Sequence, residues 1–530
     1  MLVDRLSVEN TGAKIFETVA GNFPLASASD EFYFFPQVQS NRSKRKRWDS
    51  FTEDTISDVI KKLAVNVRKL DILTPKDSES ELTDLETRID LSLLKRITRT
   101  LIEQLTEVRA WETQPTWHLT IACVGMAQAM GSRDPAAKHE QAKELPVFFD
   151  QAGLALRQVP VLFRELGLEM VAATREYLVL LEQRVPEVKA ALVALDRFEE
   201  KVRQVTTRSN FLLPVELLER IVRFHLNCNA SLQDMNQELD QEIQEMQVTI
   251  RDLIGSSTSD LCRSKAFDKI PLPEADSNGL LGVYRKEVRR LAEHCLANEL
   301  VSRDIYHACP VRVEPVPSFL SAIRTASSYS ISPRYPPTGG VFYVINANDP
   351  AEARKGYQRE YRILSAHETY PGHHLLDSLR WSLKRPIRRG IEQPLYYEGW
   401  ACFAEEIMHQ TGYFTTSSDR LLLARRRLWR AIRGKVDLGL QTGAMDLKMA
   451  ASYLSKAGIR IKDAISAARK YTLNPGYQLC YTIGLRRFLD LFQRYGQQNL
   501  KDFVAVVLSQ GEIDFQDLNL ILKQAFGDHS

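Results

Sequence analysis

The segment Ser365–Leu376 constrains the fold of this chain more than any other stretch. It reads Ser-Ala-His-Glu-Thr-Tyr-Pro-Gly-His-His-Leu-Leu and holds three of the ten histidines in the 530-residue sequence. Two turns of unbroken helix would place His367 roughly 9 to 10 Å along the axis from His373 or His374, too far for one shared metal ion. Proline removes a helical hydrogen bond and glycine tolerates unusual φ values, so Pro371–Gly372 predicts a break or bulge in the helix.

The identity of the second histidine ligand depends on this break. Periodicity alone does not decide between the two later histidines. A two-residue bulge restores the phase of a plus-four position, which favours His373. We then expect His374 roughly 100° around the helix, behind the ligands or on the substrate side.

A carboxylate on a neighbouring helix is expected to complete the site. Glu398, in the segment Tyr396–Glu406, is the best candidate for this third ligand. Glu405 lies seven residues further on, near the same helix face, and could accept a hydrogen bond from a ligand imidazole. Asp377, four residues past His373, competes for that orienting role.

Imidazoles and carboxylates in this pattern are typical of a zinc hydrolase with one zinc ion. Glu368 is the predicted general base, which takes a proton from a metal-bound water and passes it to the leaving amine. Tyr481 is the candidate donor to the oxyanion, with Tyr477 second. Arg486 is a candidate anchor for a substrate carboxylate, although a surface position or a structural ion pair is the commoner role for such an arginine.

The net charge and the cysteine content limit which other functions the sequence allows. The chain has 70 Lys and Arg against 67 Asp and Glu, a net charge of +3 that gives no general case for a nucleic-acid partner. Its one dense basic run, Arg42–Arg47, reads as a solvated loop. Seven cysteines without a CxxC pair indicate reduced thiols. Because the sequence lacks a signal-peptide pattern and a run of roughly 20 apolar residues, it predicts a cytoplasmic protein without a membrane partner.

Apolar periodicity predicts a mainly α fold. From Phe51 onward, apolar residues recur at three- and four-residue spacing, and β-like patterns are confined to residues 310–317 and 339–346. A Ser/Asp/Pro/Gly-rich interval follows residue 254. We therefore predict an irregular N-terminal arm over 1–50, a helical region over 51–260 and a region carrying the chemistry over 261–530, the last two forming either separate units or one continuous body.

Four segments together resemble a known family: Ala366–Leu375, Tyr397–Ala401, Asp437–Leu440 and Pro475–Gly484. They are similar to motifs of the bacterial domain of unknown function 885 family, placed among the gluzincin-type metallopeptidases. The match runs over about residues 260 to 525 and more weakly before that. A histidine signature that contains Pro-Gly and is followed by Glu-Gly-Trp-Ala is a specific combination that chance would rarely produce.

The resemblance extends to fold and chemistry. The spacing of Glu398 and Glu405 is similar to that in the thermostable carboxypeptidase Taq family, whose relatives include the thimet oligopeptidase family. The resemblance implies a large multi-helix metallopeptidase-like fold with a deep cleft, and a small sheet beside the zinc helix in which Val341–Asn346 is an edge strand that pairs with extended peptide. In one departure, Gln441 follows Asp437–Leu440 where the family usually has His, so a function of that His in holding the oxyanion or substrate would be lost or altered.

The sequence thus predicts a zinc-dependent metallohydrolase held by His367, His373 and Glu398, most simply a peptidase acting on short peptides. Hydrolysis of a non-peptide amide is the alternative within the same chemistry. A non-catalytic helical protein, either a scaffold or an inactive relative that binds peptides, is the alternative from another class.

Overall fold

A computed structural model describes residues 5–39, 48–73, 84–255, 265–274, 279–316, 327–344 and 351–527. The helices of the first part are α1 (Arg5–Asn22), α2 (Glu53–Ile72), α3 (Leu85–Glu103), α4 (Ala110–Thr113), α5 (Pro115–Met130), α6 (Ala137–Ala155), α7 (Val161–Glu182), α8 (Val188–Gln204), α9 (Val215–Arg220), α10 (Leu232–Ile254), α11 (Lys265–Asp268) and α12 (Gly279–Ala297). Those of the second part are α13 (Arg303–Ala308), α14 (Ala351–Glu368), α15 (His373–Ser382), α16 (Pro386–Arg389), α17 (Pro394–Gln410), α18 (Ser417–Gln441), α19 (Leu447–Lys456), α20 (Ile461–Tyr471), α21 (Leu479–Tyr495), α22 (Leu500–Ser509) and α23 (Phe515–Phe526). The prediction of a mainly α fold is confirmed.

Local sequence signals explain where several of these helices begin. Thr52 accepts a hydrogen bond from the backbone N–H of Thr55 at the start of α2. Thr416 and Asp419 form a reciprocal capping box at the start of α18. Such caps satisfy backbone donors that have no partner within the helix. The apolar stripes of the helices then pack into one extended hydrophobic core.

Two small sheets accompany the helices. Strands β1 (Val159–Pro160) and β2 (Thr207–Arg208) form a short parallel pair, and β3 (Val311–Pro315), β4 (Ser328–Ile331) and β5 (Gly340–Val344) form a sheet in the order β3-β5-β4. β5 is parallel to β3 and antiparallel to β4.

The prediction that Val341–Asn346 is an edge strand is wrong. Strand β5 lies in the middle of its sheet, because β3 and β4 pair with its two sides. Residues 345 and 346 fall outside the described residues. Within the described sheet, β4 is an outer strand.

The N-terminal region differs from the predicted irregular arm. α1 is a regular helix of 18 residues. Beyond it, an aromatic cluster packs into the core, with Phe23 stacked on Phe51 at 4.9 Å and Phe34 stacked on Trp117 at 5.7 Å between ring centroids. The basic run at 42–47 and the predicted boundary at residue 260 lie outside the described residues, and the three predicted regions stay a prediction.

Four helices and one close contact position the site. α14, α15, α17 and α18 pack around one another, and α17 packs against α21. At that last contact a Cβ added to Gly399 would lie 2.6 Å from the Cα of Gly484, so only glycine permits the two backbones to approach this closely. Among the described residues, no helix is long and apolar enough to cross a membrane.

Candidate metal centre

The helix that carries the first histidine ends within the motif, as the Pro-Gly pair predicts. α14 stops at Glu368 and α15 starts at His373. The backbone N–H of Gly372 donates to the carbonyl oxygen of Ala366 at 3.1 Å. A Cβ at Gly372 would lie only 2.5 Å from that same oxygen, so the turn requires glycine.

Trp400 stabilises this break from the neighbouring helix. Its indole Nε1 donates to the carbonyl oxygen of Pro371 at 2.9 Å. A buried carbonyl released from a helix needs such a donor. The Trp of the Glu-Gly-Trp-Ala segment thus supports the geometry of the histidine motif, a connection that sequence analysis missed.

The break brings three donor atoms together. One ligand atom each from His367, His373 and Glu398 lies within 4.8 Å of the others. The Oε2 atom of Glu398 is 3.8 Å from Nε2 of His367 and 3.6 Å from Nε2 of His373. Donors around a tetrahedral zinc with bonds of about 2 Å are about 3.3 Å apart, so the carboxylate oxygen is within about 0.5 Å of that spacing from both imidazoles.

The environment of the donors fits a bound cation. All three residues are buried, with at most 6% of their surface exposed. The Oε2 of Glu398 has no hydrogen-bond partner among the described residues, and a buried oxygen without a partner is costly unless a ligand satisfies it. Two imidazoles and one carboxylate are a common donor set for catalytic zinc, so the residues fit the metal that the sequence predicts.

His367 is oriented by the carboxylate of Glu405. Its Nδ1 lies 3.0 Å from Oε1 of Glu405, which leaves Nε2 directed at the other two donors. Arg430 in turn donates to both oxygens of Glu405, at 2.6 and 2.8 Å. Burial raises the pKa of Glu405, but Arg430 outweighs this effect and holds the pKa well below its usual range. The carboxylate is therefore charged and positions the imidazole.

Asp377, the other orienting candidate, does not take that position. Its Oδ1 accepts from Arg380 at 2.6 Å and its Oδ2 from the hydroxyl of Tyr397 at 3.3 Å. The ring of Tyr397 stacks on His373 with 4.0 Å between centroids and 22° between planes. Asp377 therefore contacts His373 through Tyr397, and its negative charge also helps to raise the pKa of His373.

The pKa values of the two histidines are shifted in opposite directions. Burial lowers the pKa of His367 to about 3. Burial also lowers the pKa of His373, but the nearby Glu398 more than offsets this effect and leaves it raised above 6.5. For Glu398, burial raises the pKa while the two imidazoles lower it, to about 2 overall. The carboxylate is thus charged at neutral pH.

Glu368 lies beside this centre. It is buried, lines the same cavity as the three donors, and has a pKa raised to about 7, chiefly by burial. A carboxylate with a pKa near neutrality can both accept and release a proton. This property matches the predicted base, although the role itself stays a prediction.

Two tyrosine hydroxyls border the cavity. The hydroxyl of Tyr477 donates to Oε1 of Glu398 at 2.9 Å. The ring of Tyr481 packs under the guanidinium of Arg433, 4.7 Å from its centroid. Burial and the charge of Glu398 raise the pKa of both tyrosines well above 10, so both remain hydrogen-bond donors at neutral pH.

Three residues named from the sequence lie away from the donors. His374 is fully buried and contacts Tyr329 and the carbonyl of Cys309, at 3.1 and 3.0 Å. Gln441 donates to the carbonyl of Tyr471 at 3.2 Å. Arg486 pairs with carboxylates of α10, for example Glu242 at 3.1 Å, so the structure places it in a structural ion pair and not at the cavity.

The cavity in front of the donors has a volume of about 350 Å³. Its described lining includes all the predicted ligands, Glu368 and both tyrosines, together with residues that sequence analysis missed. The missed residues are Asp30, Glu31, Ser327, Glu392 and the start of β4. They come from segments far apart in the chain and carry no local pattern, so no sequence signal marked them. Tyr397, adjacent to Glu398 in a quoted motif, is the exception.

The chain matches one protein family and resembles several solved structures. A family model described as "Bacterial protein of unknown function (DUF885)" matches residues 38–519. A candidate lipoprotein of unknown function from Shewanella oneidensis has a similar structure, with a TM-score of 0.73, 15% identity and coverage of 98% of this chain and 99% of that chain. A candidate lipoprotein from Colwellia psychrerythraea has a TM-score of 0.78 and 15% identity, over 99% of this chain and 100% of that chain. At these identities the likeness shows the fold alone.

A third structure is far less similar. Metallocarboxypeptidase 1 of Trypanosoma cruzi has a TM-score of 0.44 and 9% identity, over 99% of this chain and 97% of that chain, a level at which the likeness carries no argument. No curated protein matches the sequence.

The predicted cytoplasmic location is wrong on these comparisons. The similar structures from Shewanella oneidensis and Colwellia psychrerythraea are both described as candidate lipoproteins, which does not fit a cytoplasmic location. The prediction relied on composition and on the absence of an apolar segment, and neither reports where a protein is delivered.

Proposed function

The chain belongs to the DUF885 family of bacterial proteins of unknown function, and from that premise we propose that it is a zinc-dependent peptidase acting on short peptides. The observation that supports this proposal most is the buried donor set of His367, His373 and Glu398, with an oxygen of Glu398 that lacks a partner among the described residues. The charged Glu405 behind His367 adds the second carboxylate that such centres use to fix an imidazole.

A zinc ion held by these residues would supply a Lewis acid that polarises a carbonyl and lowers the pKa of water. The protein's own groups do the rest. Glu368 accepts the proton of the attacking water and delivers it to the leaving amine nitrogen, for which a pKa near neutrality suits it. Tyr481 donates a hydrogen bond to the carbonyl oxygen as negative charge develops on it, because its hydroxyl stays protonated and lines the cavity.

Tyr477 has a different role in this proposal. Its hydroxyl already donates to Oε1 of Glu398 at 2.9 Å. That bond directs the second oxygen, Oε2, toward the imidazoles. Tyr477 is thus a positioning residue, and Tyr481, whose hydroxyl also neighbours Glu398, keeps the role of donor to substrate that the sequence assigns to it.

Peptide rather than another amide is favoured by β4. This outer strand of the described sheet contributes residues 328 and 329 to the cavity wall. An extended peptide can align beside such a strand, which fixes its direction relative to the donors. The edge strand inferred from the family resemblance is thereby moved from β5 to β4.

Two measurements test the proposal. Elemental analysis of gently purified protein, and of protein reconstituted with zinc, is expected to give one zinc per chain. A peptide library is then cleaved by the wild type but not by Glu368→Gln, with a loss of about 10³-fold or more for a missing base. Protein that retains no zinc after reconstitution contradicts the proposed centre, and cleavage that survives Glu368→Gln contradicts the proposed base. Zinc retained by Glu368→Gln is the control for an intact site.

A further inference from the structure

The two histidines of the metal centre are held in different ways. Nδ1 of His367 lies 3.0 Å from Oε1 of Glu405. Nδ1 of His373 is buried and has no hydrogen-bond partner among the described residues. Metal-binding imidazoles commonly donate their second ring N–H to a carboxylate or a carbonyl oxygen, which fixes the direction of the ring. The orientation of His373 therefore depends on another kind of contact.

The backbone at His373 does not supply that restraint. Side chains inside a helix lean over the turn that precedes them, and this turn limits their rotamers. α15 starts at His373, so no turn of the same helix precedes this residue. The torsion that rotates an imidazole about its bond to Cβ is soft in any case, because it joins an sp³ carbon to an sp² carbon. Neighbouring side chains must hold the ring.

The ring of Tyr397 covers one face of His373. The two ring centroids are 4.0 Å apart and the planes are inclined by 22°. The imidazole of His367 meets the same ring at 83°, with 4.8 Å between centroids. Rotation of the His373 ring would drive its edge into the phenol face, so the stack restricts that rotation. In the observed orientation, Nε2 of His373 lies 3.6 Å from Oε2 of Glu398.

The hydroxyl of Tyr397 is tied to the helix that carries His373. It donates to Oδ2 of Asp377 at 3.3 Å. Asp377 and His373 are four residues apart in α15, so their side chains are neighbours on one helix face and the tyrosine lies along a single turn. Oδ1 of Asp377 accepts from Nε and Nη2 of Arg380 at 2.9 and 2.6 Å, in a pair that is almost fully buried. The acceptor of the tyrosine hydroxyl is thus itself fixed.

We propose that the ring of Tyr397 is the positioning group for His373, in place of the hydrogen-bond acceptor that Glu405 provides for His367. This inference rests on the proposed zinc centre and names the residue that keeps one of its ligands in place. Tyr397 precedes Glu398 in α17, so this helix supplies one ligand and the support of another. The bond to Asp377 steadies the ring and is secondary to the stack, because 3.3 Å is long for a bond between two oxygens.

Three substitutions separate the ring from its hydroxyl. Tyr397→Leu and Tyr397→Gln remove the ring, and Tyr397→Phe removes the hydroxyl alone. Zinc affinity is measured on the full-length protein with a competing chelator. We expect both variants without a ring to bind zinc about 10- to 100-fold more weakly, as for the loss of other groups that orient a ligand. Tyr397→Phe stays within about threefold of the wild type. Either variant without a ring decides the question if the other does not fold.

Tyr396→Leu is the matched control on the same helix. Tyr396 is fully buried, its hydroxyl donates to the carbonyl oxygen of Val507 at 3.1 Å, and its ring packs on Phe488 at 5.0 Å between centroids. It does not line the metal cavity. We expect this change to lower stability and to keep zinc affinity within about twofold of the wild type. Urea denaturation of the zinc-free protein reports the folding of every variant separately from metal binding.

Cobalt(II) supplies a readout that needs no peptidase activity. This ion takes the place of zinc, and its visible absorption depends on the number and arrangement of its ligands. We expect the spectrum of the cobalt-loaded protein to change in Tyr397→Leu and Tyr397→Gln. Tyr397→Phe and Tyr396→Leu are expected to keep the spectrum of the wild type. A general loss of packing would not produce this pattern.

The outcomes separate this inference from the proposed function. Unchanged zinc affinity and cobalt spectra in the variants without a ring, in a protein that binds zinc and cleaves peptides, overturn the inference and leave the function intact. An equal loss of affinity in Tyr397→Phe or in Tyr396→Leu overturns it as well, because the stacked ring is then not the cause. A wild type that binds zinc but cleaves no peptide contradicts the function, and zinc affinity that depends on the ring still supports the inference. A wild type that binds neither metal contradicts both.

Discussion

Replacing Gly399 by alanine tests whether the contact between α17 and α21 sets the geometry of the metal centre. The added Cβ would lie 2.6 Å from the Cα of Gly484, whereas ordinary contacts begin at 3.4 Å. The difference, 3.4 − 2.6, requires the helices to separate locally by about 0.8 Å, because backbone atoms have no rotamer through which to move away.

This displacement acts directly on the site. Glu398 precedes Gly399 in α17, and Tyr481 lies one turn before Gly484 in α21. A misplacement of about 1 Å can cost about 100-fold in rate, so we expect kcat/KM to fall by about 10- to 100-fold. Overpacking of this kind lowers the free energy of unfolding by about 1–3 kcal/mol.

Gly21→Ala is the matched control, since no heavy atom lies within 4 Å of a Cβ built at that position of α1. It is expected to raise the free energy of unfolding by about 0.5–1 kcal/mol and to leave activity unchanged. Urea denaturation, zinc stoichiometry and peptide cleavage are measured on both variants. If Gly399→Ala matches the wild type in all three, the contact does not position the centre and the reasoning is refuted.

Two further predictions concern the ligands. Glu405→Gln leaves the guanidinium of Arg430 buried without its charged partner, so we expect the free energy of unfolding to fall by about 3 kcal/mol. The same change removes the carboxylate that orients His367, so we expect zinc affinity to fall by about 10- to 100-fold. Glu398 raises the pKa of His373 above 6.5, and zinc binding must displace the proton that His373 carries below that pKa. We therefore expect the apparent zinc affinity to fall by about tenfold per pH unit as the pH drops below this pKa. A competing chelator measures that affinity.

The first of these has a control on the same helix. Glu406→Gln removes a buried carboxylate that pairs with Arg427 at 3.1 Å and does not line the cavity. It is expected to lower stability while keeping zinc affinity within about twofold of the wild type. For the second, an affinity that does not change between pH 8 and pH 5 would show that His373 carries no proton in the free protein.

Much of the local chemistry was readable from the sequence. The spacing of His367, Pro371, Gly372 and His373 predicted a helix break, because the rise and turn of a helix fix how far apart its side chains lie. The structure has that break and brings Glu398 to the same point. The mainly α class followed from apolar periodicity for the same local reason.

Long-range packing decided the rest. Sequence left Asp377 competing with Glu405 to orient an imidazole, and only the positions of Arg430 and Arg380 in the fold separated them. Strand order is likewise set by pairing between distant segments, so β5 was taken for an edge strand although it is central.

The sequence by itself predicted the histidines that could hold a metal and where their helix must break, because both depend on distances of a few residues along one backbone. Only the tertiary structure decided what faces this candidate metal centre. Asp30 and Glu392 are more than 350 positions apart in the chain, yet both line one cavity with the donor atoms. Side chains from such distant segments meet only when packing of the whole chain buries them together, and no local pattern records that meeting.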